Sequence, residues 1–163
     1  MIRLLIIACA VTLVSCKNDN KTNERAEPII VVDEFDKEMN FAIQKAKNSV
    51  DTFIQAYTGK KNLSGFYVKV PYENPDEVEH LWINVISISG SQIKGLIENT
   101  PNERTAVKYG DTVSVDKTGI SDWMYLDTLS HKIHGAYTIH ETRKRLSSEE
   151  QKKLDAELEG TLE

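Results

Sequence analysis

Val78-Glu79-His80-Leu81-Trp82-Ile83-Asn84-Val85-Ile86-Ser87-Ile88-Ser89, followed by Gly90-Ser91 and Gln92-Ile93-Lys94-Gly95-Leu96-Ile97-Glu98, decides the fold. Leu81, Ile83 and Val85 share one parity, and His80, Trp82 and Asn84 share the other. Such a two-residue period is that of a half-buried strand. Ile86 and Ile88 then take the second parity, a slip expected of a bulge or of a strand that changes partners. Ser89-Gly90-Ser91 is a tight turn, and Ile93 and Ile97 mark the returning strand. The stretch reads as a β-hairpin.

The flanks extend this pattern. Upstream, residues 64–71 set Phe66, Val68 and Val70 against Tyr67 and Lys69, another strand, and Pro71 and Pro75 bound a loop. Downstream, residues 99–109 are polar and loop-like. Val113 and Val115 alternate in 112–116, residues 120–126 are apolar and aromatic, and 127–132 form a connection. Tyr137 and Ile139 in 135–141 suggest one more short strand.

Two helices complete the reading. Met39, Ala42, Ile43, Ala46, Val50, Phe53, Ile54 and Tyr57 recur at three- and four-residue steps, one apolar stripe over residues 36–57. Asp33 or Asp36 suits its start and Gly59 its end. Ser147-Ser148-Glu149-Glu150 has capping-box form and opens a last helix with Leu154, Leu158 and Leu162 as a thin stripe. The class expected is α+β: a small, mostly antiparallel bent sheet or partial barrel, the N-terminal amphipathic helix packed on it, and a short C-terminal helix. Residues 35–163 are expected to be a single domain with one core.

The N-terminus is of another kind. Arg3 precedes an apolar run of about ten residues, too short for the roughly 20 that span a bilayer. The run ends in Leu13-Val14-Ser15-Cys16, which resembles a bacterial lipobox. Residues 1–15 are therefore expected to be a lipoprotein signal peptide, with Cys16 as the lipid attachment site. Residues 16–34 follow as a polar tether, with an end-to-end span on the order of 20–30 Å. The expected location is the bacterial cell envelope. Lys17, rather than an aspartate, after the cysteine resembles an outer-membrane rather than an inner-membrane signal in a Gram-negative cell.

Charge and composition narrow the function. Twenty basic and 25 acidic residues give a net charge of -5, and loss of Arg3 with the leader makes it -6. An acidic domain is repelled by anionic headgroups and lacks the basic face that nucleic acid requires. The lipid must hold the protein to its membrane. Two cysteines, one of them in the leader and the other acylated, exclude a disulfide framework.

At this point the order of segments resembles the YegJ-like bacterial domain of unknown function. The resemblance rests on residues 66–72, on Glu79-His80-Leu81-Trp82, on Asp122-Trp123-Met124-Tyr125 and on Gly135-Ala136-Tyr137-Thr138-Ile139. It covers about residues 37–154. His134 and His140 depart from a Gly and an Arg common in the family. The resemblance implies a shared fold and no activity.

Residues able to carry chemistry are few. Glu79, His80 and Asp122 are the candidates for acid–base work, provided they meet. His131-x-x-His134 lacks a local third ligand, so no metal and no cofactor are expected. No Gly-x-Ser-x-Gly or phosphate-cradling loop is present. If His80, Trp82 and Asn84 face outward, they form an aromatic–polar strip bordered by Glu79, Asp122, Trp123 and Tyr125. The competing arrangement makes Trp82 and Trp123 plugs of the core. The functional expectation is a lipid-anchored envelope module that contacts a protein or peptide partner. The alternatives are a small hydrolase or isomerase using the His–carboxylate cluster, and a purely structural envelope lipoprotein.

Overall fold

The computed structural model describes residues 36–163, apart from residues 60 and 76. The expected signal peptide, the tether and Cys16 lie outside the described residues.

The apolar stripe becomes α1 (Lys37–Gly59), which buries Met39, Ala42, Ala46, Val50, Phe53 and Tyr57. Asp36 begins it as expected, its Oδ1 accepting from the Met39 amide at 2.9 Å. Asp36 also pairs with Arg145, tying the start of α1 to a distant part of the chain.

The strands are β1 (Leu63–Glu73), β2 (Val78–Ser89), β3 (Gln92–Ile97), β4 (Thr112–Asp116), β5 (Asp122–Asp127), β6 (Lys132–Gly135) and β7 (Thr161–Leu162). They form one sheet in the order β4-β3-β2-β1-β5-β6-β7. All neighbours are antiparallel except β6 and β7. The sheet stays open, with β4 and β7 as its edges. The parity slip is real: the β2–β3 register shifts between Val85 and Ser87. A Cβ at Gly95, opposite Val85, would stand 2.2 Å from the Asn84 carbonyl oxygen, so this close approach of strands needs glycine.

Pleating divides the apolar residues between two cores. On one face α1 covers Phe66, Val68, Val70, Leu81, Ile83, Ile93, Ile97, Trp123 and Tyr125. Phe53 stands among three of these rings, its centroid 5.7 Å from Phe66 and from Trp123 and 6.5 Å from Tyr125. On the other face Trp82, Met124 and Ile133 meet Ile139 and Leu154 from two short helices, α2 (Tyr137–Arg145) and α3 (Ser148–Glu157).

Helix α3 has the capping box read from Ser147 and Glu150. Helix α2 corrects the sequence reading. The strand expected over residues 135–141 does not form: β6 lies just before it and stops at Gly135, and a helix starts at Tyr137. Tyr, Thr and Ile favour strands, but that preference depends on context, and a tertiary contact overrides it here. Ala136 turns the chain through the left-handed region at φ 51°. Gly135 precedes it at φ 82°, where a Cβ would stand 2.2 Å from the Trp123 carbonyl oxygen. Strand β7 corrects the reading of Leu162 as part of the last helix: α3 ends at Glu157, Leu158 caps it, and Leu162 lies in β7. Two residues carry no period, and the strand exists because Thr161 bonds the His131 carbonyl.

Candidate functional site

The residues singled out in β2 do four different things. Glu79 clamps the loop between β3 and β4, accepting from the Asn102 amide at 3.0 Å and from the Thr105 hydroxyl at 2.8 Å. His80 is exposed, but its Nδ1 lies 2.7 Å from the Ser121 hydroxyl. Crowding on the inner side of the ring, then Lys69 and Lys47, lower its ionisation to about 4. Its exposure lets water offset part of that depression. Trp82 is fully buried, with the Lys69 ammonium 4.9 Å from the centre of its ring. Asn84 is half-buried and donates to Glu98 at 3.1 Å.

Asp122 begins β5 and is fully buried. Its Oδ1 accepts from the amides of Trp123 at 2.8 Å and Tyr137 at 3.2 Å. Its Oδ2 accepts from the Thr138 amide at 2.7 Å and the Thr138 hydroxyl at 2.6 Å. The carboxylate therefore caps α2 from a neighbouring strand, because Ala136 at the cap position has no side-chain acceptor. Burial pushes the Asp122 carboxyl up to about 6, while the Thr138 bonds, Lys69 and the Trp123 amide pull it down.

Trp123 and Tyr125 point to the opposite face. The Trp123 indole donates to the Ala46 carbonyl at 3.0 Å and also bonds Ser49 at 3.2 Å, fastening β5 to α1. Tyr125 stacks on Trp123 at 5.9 Å and on His134 at 5.0 Å.

These seven residues do not form one outward strip. Trp82, Asp122, Trp123 and Tyr125 are buried, the two tryptophans in different cores. The arrangement with tryptophans as core plugs is the one observed. The bulk that makes an aromatic ring a good partner contact makes it an equally good plug, and one strand's parity does not say which face a helix covers. His80 and Asp122 approach the same segment from different sides. His80 bonds Ser121, whereas Asp122 spends its oxygens on β5 and α2. No hydrogen bond joins them.

Ser121 and Thr138 were missed by sequence reasoning. Both are buried, and small hydroxyls leave no pattern in a sequence. Among the described residues every buried side-chain nitrogen and oxygen has a partner. None of those residues form a group of three or more His, Cys, Asp or Glu placed to hold a metal. His131 is exposed in a left-handed turn, and His134 pairs with Glu163. An open hollow of about 280 Å³ lies on the loop that Glu79 clamps, lined in part by Pro101, Val107 and Tyr109. No described helix is long and apolar enough to cross a membrane.

The second face is only partly covered. Helices α2 and α3 seat on Trp82, Met124 and Ile133, and among the described residues no helix covers the β2–β3–β4 end. Lys94 and Ser114 are exposed there, with Asn84 and Leu96 half-buried beside them, and exposed His80 lies further along β2, opposite Pro71 of β1.

An open mixed sheet covered on one face by a long helix, and partly on the other by two short ones, defines an α+β domain. The chain belongs to the family described as an uncharacterized protein conserved in bacteria (DUF2314), whose model matches residues 36–160. It is 36% identical over 130 residues to the uncharacterized protein YegJ of Escherichia coli, covering 79% of this chain and 83% of that one. It is 31% identical over 137 residues to a Neisseria meningitidis protein named as an ankyrin repeat protein. That match takes in 78% of this chain and about half, 53%, of the longer relative. No solved structure matches the chain.

Proposed function

We propose that the protein is a lipid-anchored module of the bacterial cell envelope that binds a protein or peptide partner, without catalysis of its own. The lipobox-like Leu13-Val14-Ser15-Cys16 supports the anchor, and the polar residues 16–34 support a domain held off the bilayer.

One observation carries the binding reading. The β2–β3–β4 face is open to solvent and mixed in character, with Asn84 paired to Leu96, Lys94 next on that face of β3, and His80 further along β2. Open sheet faces of mixed character suit macromolecular partners, whereas small substrates are held in concave sites. The residues first assigned to acid–base work are engaged elsewhere: Glu79 in a loop clamp and Asp122 in a helix cap.

Two experiments test the reading. Fractionation of a Cys16→Ala variant should move the protein from membrane to soluble fractions, and retention on the membrane would refute the anchor. Detergent-extracted full chain should capture a partner from envelope extract. A folded variant carrying His80→Ala, Asn84→Ala and Leu96→Ser should lose it. Equal capture by both proteins would remove the β2–β3–β4 face from the proposal.

A further inference from the structure

Strand β4 ends the sheet, and the direction of its backbone groups follows from the register. Lys117 donates to the Ser91 carbonyl at 2.8 Å, and Ile97 donates to the Asp111 carbonyl at 3.0 Å. Between them Ile93 pairs with Val115 and Gly95 with Val113. In an antiparallel ladder alternate residues bond the neighbour, so the odd-numbered residues of β4 bond β3. Thr112, Ser114 and Asp116 therefore direct their N–H and C=O groups out of the sheet, where no other strand of the described residues lies. Beyond its five-residue length and Asp116 the edge carries little protection: β4 contains no proline, no lysine and no bulge.

We propose that this edge pairs with the same edge of a second copy of the chain, antiparallel about a two-fold axis at Ser114. The sequence is complementary to itself in that register. Ser114 meets Ser114, and Thr112 meets Asp116, so all three outward residues of one copy face outward residues of the other. Six backbone hydrogen bonds form across the axis. Val113 stands opposite Val115 on the α1 face, where both are half-buried against the core, and the second copy covers their exposed parts. At the ends Lys117, whose ammonium is paired with Asp51 of its own copy at 2.7 Å, stands opposite Asp111, so unlike charges meet at each corner. No like charges oppose one another. A symmetric contact of this type closes on itself and stops at two copies. The contact is small beside the roughly 800 Å² per partner of a stable complex, which points to micromolar or weaker association.

The test is sedimentation of the detergent-extracted full chain over about 1–200 µM, the range set by that weak association. The parent should shift from monomer to dimer. Ser114→Pro removes an outward N–H without touching the β3 ladder, so it should stay monomeric with an unchanged circular dichroism spectrum. Ser114→Asp, which sets two carboxylates face to face, is the second variant if proline disturbs folding. Ser114→Cys should give a disulfide-linked homodimer under mild oxidation, in excess of any formed by the parent, because directly paired residues lie within disulfide reach. A parent that is monomeric throughout would overturn the proposal. So would Ser114→Pro and Ser114→Asp variants that dimerise like the parent, or a Ser114→Cys product joined to a different protein.

Discussion

Replacing Asp122 by alanine tests the link between β5 and α2 most directly. The substitution strips the acceptor from three backbone amides and one hydroxyl at a site closed to solvent. Each buried donor left unpaired costs about 1–3 kcal/mol, so four give about 4–12 kcal/mol if nothing moves. Two effects reduce this. The Thr138 hydroxyl rotates to another acceptor, and removal of a buried carboxylate relieves its desolvation. That desolvation is what raises the Asp122 carboxyl from 3.8 to about 6. The shift corresponds to about 3 kcal/mol. A net loss of about 4 kcal/mol is expected for Asp122→Ala, a large share of the roughly 5–15 kcal/mol that holds a domain folded. Asp122→Asn keeps one oxygen and its two bonds, so about 2 kcal/mol is expected. Urea unfolding followed by circular dichroism measures both. At a slope near 2 kcal/mol/M the alanine variant should lose about 2 M in midpoint, and the asparagine variant about 1 M. Hydrogen exchange should show the amides of α2 opening first. A midpoint change under about 0.5 M for Asp122→Ala, or α2 amides as protected as in the parent, would refute the cap.

The same groups make the pH profile informative. The Asp122 carboxyl is raised above its unfolded value, so its contribution to stability is full below about 3.8 and is lost as pH rises through about 6. His80 is lowered, so its contribution is present above about 6.5 and is lost as pH falls toward about 4. The two oppose each other over one window. Asp122→Asn should make stability rise more steeply from pH 4 to 6.5, and His80→Gln should make it fall; identical slopes in both variants would exclude the assignment. Gly135→Ala puts a methyl group against the Trp123 carbonyl at a left-handed backbone, and a thermal melt should show a loss of about 2 kcal/mol or more. Phe53→Ala empties the centre of the α1 core and should cost about 3–5 kcal/mol in the same assay, whereas Phe41→Ala, on the exposed side of that helix, should change stability by less than about 0.5 kcal/mol.

Much of this molecule follows from local pattern. The stripe from Met39 to Tyr57 determined α1, because a helix needs only one apolar face at a 3.6-residue period. Alternation in residues 66–70 and 81–85 determined β1 and β2, the parity slip at Ile86 determined the bulge, and Ser147 with Glu150 determined the start of α3. Each of those signals lies within a few residues of the feature it specifies. What the tertiary structure decided lies further apart along the chain. Helix α2 stands where alternation suggested a strand, since its amides are held by a carboxylate 15 and 16 residues earlier. Trp82 and Trp123 both lie within strands, yet they fill opposite cores, because Trp82 pairs with Lys69 and Trp123 with Val68, consecutive positions of β1 whose side chains take opposite faces. His80 and Asp122 sat together on paper as an acid–base pair, and folding sent one to Ser121 and the other to the end of α2. A linear pattern specifies which residues leave water. Which side of the sheet they leave it on, and whose hydrogen bonds they then accept, is set by strand order and register, and these exist only in the folded chain.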